Sequence, residues 1–212
     1  DQSCAAVGAG LERAGDILCN FGTALVVYAQ KDRPVSPTKE DQIAGIGPMT
    51  SQLAPSWFLL GLEPECGNVF DWMAKLLYPR GGVEALLTAA FTKDMQVMDR
   101  DNPQLVFTGG GRLDLCRLKL DYRREHLARG VVEFYAQRFR ELLKDVTAEE
   151  TGPLRLFASG GLSQNDLWLE FLPYRCGRHL IRTASEHPGL VGIARIIQNG
   201  SGDGTSIRVS DF

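Results

Sequence analysis

The chain has 212 residues, 44% of them hydrophobic and 23% charged, with a formal net charge of −3, which suits one large globular domain or two small ones. The slight acidity argues against a nucleic-acid surface as its main business, and no apolar run is long enough to span a membrane. Five scattered cysteines (Cys4, Cys19, Cys66, Cys116, Cys176), odd in number and without metal spacing, point to reduced thiols in a cytoplasmic protein with no signal-peptide pattern at its start.

The first ten residues, Asp1 to Gly10, are rich in Ala, Cys and Gly and predict a short helix packed closely on neighbouring backbone. Asp1 and Gln2 open it. An acid there favours the helix start, and it is equally a carboxylate held in place at a cleft. Because the chain opens on Asp1 rather than Met, it reads as a piece of something longer.

Gly15-Asp16 introduces two apolar runs, Ile17 to Phe21 and Ala24 to Tyr28, around Gly22-Thr23. They predict a β-hairpin with a small-residue turn, which is either plain turn chemistry or a set of N–H groups and a hydroxyl that phosphate can use. Lys31 to Pro37 reads as a polar loop, Ile43 to Ala54 as irregular or edge structure, and Trp57 to Gly61 as a short buried strand. Gly67 then stands at the entry of a helix with Val69, Trp72, Met73, Leu76 and Leu77 at helical spacing. Asp71 lies one turn inside it, as a solvated first-turn acid or on a ligand-facing side.

Val83 to Phe91 predicts a further helix, Leu105 to Phe107 a strand, and Gly109-Gly110-Gly111 a flexible turn that lacks the Lys-Ser/Thr of a P-loop. Arg123 to Leu143 predicts a long amphipathic helix. Its apolar face is Leu127, Val131, Phe134, Tyr135, Phe139 and Leu142, and Arg and Glu cover the other. After a linker from Thr147 to Pro153 comes the stretch around which the chain is organised: a strand at Leu154 to Phe157, the turn Gly160-Gly161, and a helix carrying Asn165. Glycines there let a ligand approach the backbone, and a helix start turns N–H groups toward it; an ordinary strand-to-helix turn has the same appearance. Arg178 to Arg182 reads as a short strand, Gly189 to Ile197 as a last helix, and the residues after Gly204 as a terminal strand. With no repeat or composition break, the elements predict one mixed α/β domain with helices on both faces of its sheet.

Taken in order, Asp1-Gln2, Gly22-Thr23, Gly67-x-x-x-Asp71-Trp72, Gly160-Gly161-x-x-x-Asn165 and the Gly192-x-Ala194 helix resemble the C-terminal domain of the FGGY carbohydrate kinases, over nearly the whole chain. The resemblance implies an actin-like (ribonuclease H-like) fold. It implies an ATP-dependent kinase that phosphorylates a sugar hydroxyl, with a ketopentose such as xylulose or ribulose as the expected acceptor. It assigns Asp1 as general base and Gln2 to the substrate. Gly22, Thr23, Gly67, Asp71, Gly160, Gly161 and Asn165 go to ATP. Mg²⁺ would bridge the phosphates, with no dedicated protein cage. The partners it implies are the sugar, ATP, an N-terminal sugar-binding domain lying outside residues 1–212 and, as an assembly, a homodimer; the piece alone is expected to be inactive. Three other readings stand beside it: a glycerol or polyol kinase, a non-catalytic actin-like regulator that binds nucleotide or sugar, and an actin-like or chaperone-type ATPase.

Overall fold

The computed structural model describes residues 2–33, 43–49, 56–92, 103–108 and 112–200. Its elements, in order, are α1 (Gln2–Ala9), β1 (Asp16–Phe21), β2 (Leu25–Lys31), β3 (Ile43–Met49), β4 (Ser56–Glu63), α2 (Cys66–Leu77), α3 (Gly82–Ala90), β5 (Gln104–Thr108), β6 (Arg112–Cys116), α4 (Arg124–Val146), β7 (Arg155–Ser159), a 3₁₀ turn (Gly161–Gln164), α5 (Asp166–Cys176), β8 (Leu180–Arg182) and α6 (Pro188–Gly200).

The main sheet has six strands in the order β3-β4-β2-β1-β7-β8. β1, β2, β4 and β3 pair antiparallel in succession, whereas β7 and β8 run parallel to β1. Strand alternation sends β1 and β2 side chains to two separate cores. On one face Ile17, Cys19, Phe21, Leu25, Val27 and Ala29 pack under α2 to α5. There Phe21 meets Phe139 and Trp168 edge-on, with ring centroids 5.2 and 5.7 Å away. On the other face Leu18, Val26 and Tyr28 pack under Ala6 and Leu11. The expected mixed sheet with helices on both faces is therefore the observed one. β5 and β6 form a separate hairpin. β6 was not expected, because its short run Arg-Leu-Asp-Leu-Cys is largely exposed and carries little apolar signal.

α6 packs on α1 through two glycines. A Cβ on Gly8 would stand 1.7 Å from the Pro188 carbonyl oxygen, and one on Gly192 would stand 1.7 Å from the Cys4 oxygen. The two backbones touch, so only glycine fits at either position.

Three details differ from the sequence expectation. The buried stripe of α2 is Cys66, Val69, Phe70, Met73 and Ala74, while Trp72 and Leu76 are exposed. The same helical period, taken from Cys66 instead of Val69, turns the face by about one residue. Lys31 is the buried last residue of β2, not a loop residue, and its ammonium donates to the Val146 carbonyl (2.7 Å) and Glu150 (2.6 Å). Arg129 of α4 is buried, not on a solvated face. Its guanidinium lies over the Phe171 ring, 4.7 Å from the centroid, and pairs with Glu133. The triple glycine and the residues after Gly204 lie outside the described residues.

Candidate functional site

Two glycine turns leave the same end of the sheet, side by side. The first joins β1 to β2. The Gly22 amide donates to the Ala24 oxygen at 3.1 Å, closing a tight turn that presents Thr23. The entry of α2 is tied to it, since the Gly67 amide donates to the oxygens of Gly22 (3.0 Å) and Thr23 (2.9 Å). The Tyr135 hydroxyl donates to the Glu65 carbonyl and fixes that entry from below. Burial, then the acidic neighbours, pushes the Tyr135 hydroxyl and the adjacent Cys66 thiol well up, so both stay protonated.

The second turn follows β7. In the parallel register Asn20 of β1 faces Ser159 of β7, so Gly160 begins where β1 is ending. Gly160 has φ +88°, and a Cβ there would stand 2.6 Å from both Asn20 Oδ1 and the Phe21 carbonyl carbon. The Ser163 amide and hydroxyl both donate to the Gly160 oxygen, at 3.0 and 2.7 Å.

The glycines thus divide by reason. Gly67 and Gly160 are glycine because backbone or the half-buried Asn20 side chain occupies the place of a Cβ. A Cβ on Gly22 would make only ordinary contacts, the nearest at 3.5 Å, and one on Gly161 would meet nothing within 4 Å. Gly161 fronts open space, into which a ligand ring can approach, whereas Gly22 has neighbours at ordinary contact distance.

Asn165 caps α5. Its Oδ1 accepts from the Trp168 amide (3.1 Å), and its Nδ2 donates to Glu84 of α3 (2.7 Å). The helix expected directly after the glycines therefore begins one 3₁₀ turn later, and its first amides are served by Asn165 rather than turned toward Gly160-Gly161. Asp71 lies one turn beyond Gly67 on α2, exposed and paired with Lys75. Gln2, the first residue of α1, is half-buried, and its Oε1 has no hydrogen-bond partner among the described residues. The adjacent Ser3 hydroxyl bonds with that of Tyr28 (3.1 Å), so α1 opens over the Leu18–Tyr28 face. Asp1 lies outside the described residues.

The structure thus brings together Gly22, Thr23 and Gly67 at one turn and Gly160, Gly161 and Asn165 at the next. Sequence reasoning passed over Asn20, Ser159 and Glu84. For Asn20 a signal was present, a lone amide in the apolar run Ile17 to Phe21, two residues before Gly22. Chemically the arrangement offers an exposed turn with a Thr hydroxyl and an open glycine at Gly161, groups that suit phosphate and let a nucleotide lie flat on backbone. The residues present therefore fit a nucleotide.

Comparison with known proteins gives the family. Residues 17–197 match the model of the FGGY family of carbohydrate kinases, C-terminal domain, and the chain belongs to that family. A glycerol kinase from Trichormus variabilis is 27% identical over 184 residues, covering 81% of this chain and 36% of that protein. A xylulose kinase from Bacillus subtilis is 21% identical over 215 residues, covering 95% of this chain and 41% of that protein. The crystal structure of a xylulose kinase from Rhodospirillum rubrum superposes with a TM-score of 0.74 at 22% identity, covering 96% of this chain and 42% of that one. That of Plasmodium falciparum glycerol kinase with ADP superposes at 0.73 and 16% identity, covering 92% and 40%. The fold is the actin-like ATPase fold these kinases share, and the chain spans less than half the length of each of these relatives.

Proposed function

We propose that residues 1–212 are the nucleotide-binding domain of an ATP-dependent sugar kinase that works together with an N-terminal sugar-binding domain. The observation that carries this reading is the pair of adjacent glycine turns, one presenting an exposed Thr23 and the other an open Gly161. In this reading the Gly22-Thr23 turn holds the phosphates with the Thr23 amide and hydroxyl, and Gly67 keeps that turn in shape. Gly161 and Asn165 border the adenosine, and Asp71 lines the pocket from α2. Gln2 holds the acceptor hydroxyl, and Asp1 takes its proton as the phosphoryl group arrives. A carboxylate at its ordinary pKa suffices for that, because positioning and charge neutralisation dominate phosphoryl transfer. Bound ATP with Mg²⁺ supplies the phosphoryl group and offsets its charge. Closure of two domains on the substrates completes the site, so the 212-residue chain alone is expected to turn over no sugar.

The acceptor proposed is a ketopentose such as xylulose or ribulose. Glycerol or another polyol is the second reading, favoured by the 27% identity to a glycerol kinase. Phosphotransfer by the full-length protein, screened over ketoses and polyols with ATP and Mg²⁺, tests both, with Asp1→Asn as control. Turnover that collapses in the variant while nucleotide still binds supports the kinase with Asp1 as base, and the active substrate decides between sugar and polyol. Nucleotide binding without turnover on any acceptor overturns it in favour of a regulatory, non-catalytic module.

A further inference from the structure

The two glycine turns meet across one side chain that the kinase reading leaves without a role. Asn20 is the single half-buried residue of β1, whose other five positions are buried. By strand alternation it points to the same sheet face as Leu18, the face over which α1 opens. Its neighbour across the β1–β7 register is Ser159, which is buried, and the two form a polar pair at the carboxyl ends of two parallel strands. Open α/β sheets bind ligands at such ends. A carboxamide in an apolar strand is unfavourable unless its polar atoms are satisfied.

Half of that carboxamide is accounted for. Oδ1 accepts from the Ser159 hydroxyl at 3.2 Å and lies against Gly160, 2.6 Å from where its Cβ would be. The same carboxamide lies beside the hairpin turn, with Nδ2 3.5 Å and Oδ1 3.7 Å from where a Cβ on Gly22 would stand. Among the described residues Nδ2 meets no acceptor. Its two N–H bonds are therefore left for a ligand lying beside the Gly22 turn, between the two glycine turns.

We propose that the Asn20 carboxamide, oriented by Ser159, donates to the phosphate chain of the bound nucleotide as a side-chain donor bridging the two glycine turns. This rests on the nucleotide-binding reading above and adds a residue to it. A neutral amide is suited to the task, because it donates to an anion at any working pH, while an Asp in its place would repel one.

The test is calorimetric binding of ADP and of adenosine to the full-length protein and to Asn20→Asp, Asn20→Ala and Ser159→Ala. Loss of a hydrogen bond to a charged group should weaken ADP about tenfold in Asn20→Ala, and further in Asn20→Asp. Adenosine, which lacks the phosphates, should bind all variants within about twofold of wild type. Ser159→Ala should fall between wild type and Asn20→Ala for ADP. Should Asn20→Asp melt early, the two alanine variants decide with the same pair of ligands. Unchanged ADP affinity in Asn20→Ala, or equal losses for ADP and adenosine, overturns the proposal and leaves the kinase reading standing. Absence of ADP binding in wild type overturns both.

Discussion

The amide of Gly67 donates to the carbonyl oxygen of Gly22 at 3.0 Å, and a Cβ at position 67 would stand 2.5 Å from that same oxygen. The start of α2 and the turn between β1 and β2 are thus one rigid unit. Gly67→Ala must push the turn away, since backbone on both sides leaves no rotamer to relieve the contact. We expect a loss of about 2 kcal/mol in chemical denaturation together with weaker ADP binding.

Gly161 gives the opposite pattern. A Cβ there meets nothing within 4 Å, so Gly161→Ala should leave stability within about 0.5 kcal/mol of wild type. If a nucleotide lies against this backbone, the added methyl occupies its place, and ADP affinity should drop about tenfold. Parallel melting and calorimetry check the separation of the two effects.

α1 and α6 are held in backbone contact by Gly8 and Gly192. Gly192→Ala must separate the helices, because its methyl would fall on the Cys4 carbonyl. A loss of about 3 kcal/mol or more is expected, seen as a lower Tm. Since α1 also carries Gln2, the same variant should weaken substrate binding in the full-length protein.

Asp16 predicts an acid-sensitive element. Burial pushes its carboxyl up, but the Arg155 guanidinium and the amides of Glu12 and Arg13 outweigh that and hold it below the usual range. A depressed native pKa contributes stability that is present above the unfolded value of about 3.9 and is lost as pH falls through the native one. Asp16→Asn should destabilise by roughly 1–2 kcal/mol at neutral pH, and the gap to wild type should narrow as pH falls below the unfolded value of about 3.9. Denaturation curves across that range check it.

The fold was legible where apolar period and punctuation agreed. The β1–β2 hairpin, the long α4 and the turn after β7 are all spelled out by runs of Val, Ile, Leu and Phe broken by glycine. β6 was hidden because an exposed hairpin strand needs no apolar pattern. The inward face of α2 was misjudged because Trp72 and Leu76 look like core residues yet lie on the outer side. At the site, the glycines were readable, but their separate reasons were not. Gly67 and Gly160 are fixed by residues distant in sequence, Gly22 and Asn20, that only the sheet register brings near. Asn20 and Ser159 are 139 positions apart, and nothing local in either strand announces the other.

The most direct measurement of the central claim is titration of the isotopically labelled chain with ADP, followed through its backbone amide resonances. Perturbations are expected to converge on Gly22, Thr23, Gly67, Gly161 and Asn165, the residues of the two turns and the helix entries beside them. Perturbations confined elsewhere, such as the groove lined by Phe91, Arg129, Phe171 and Tyr174, would contradict the account, as would no response at millimolar ADP.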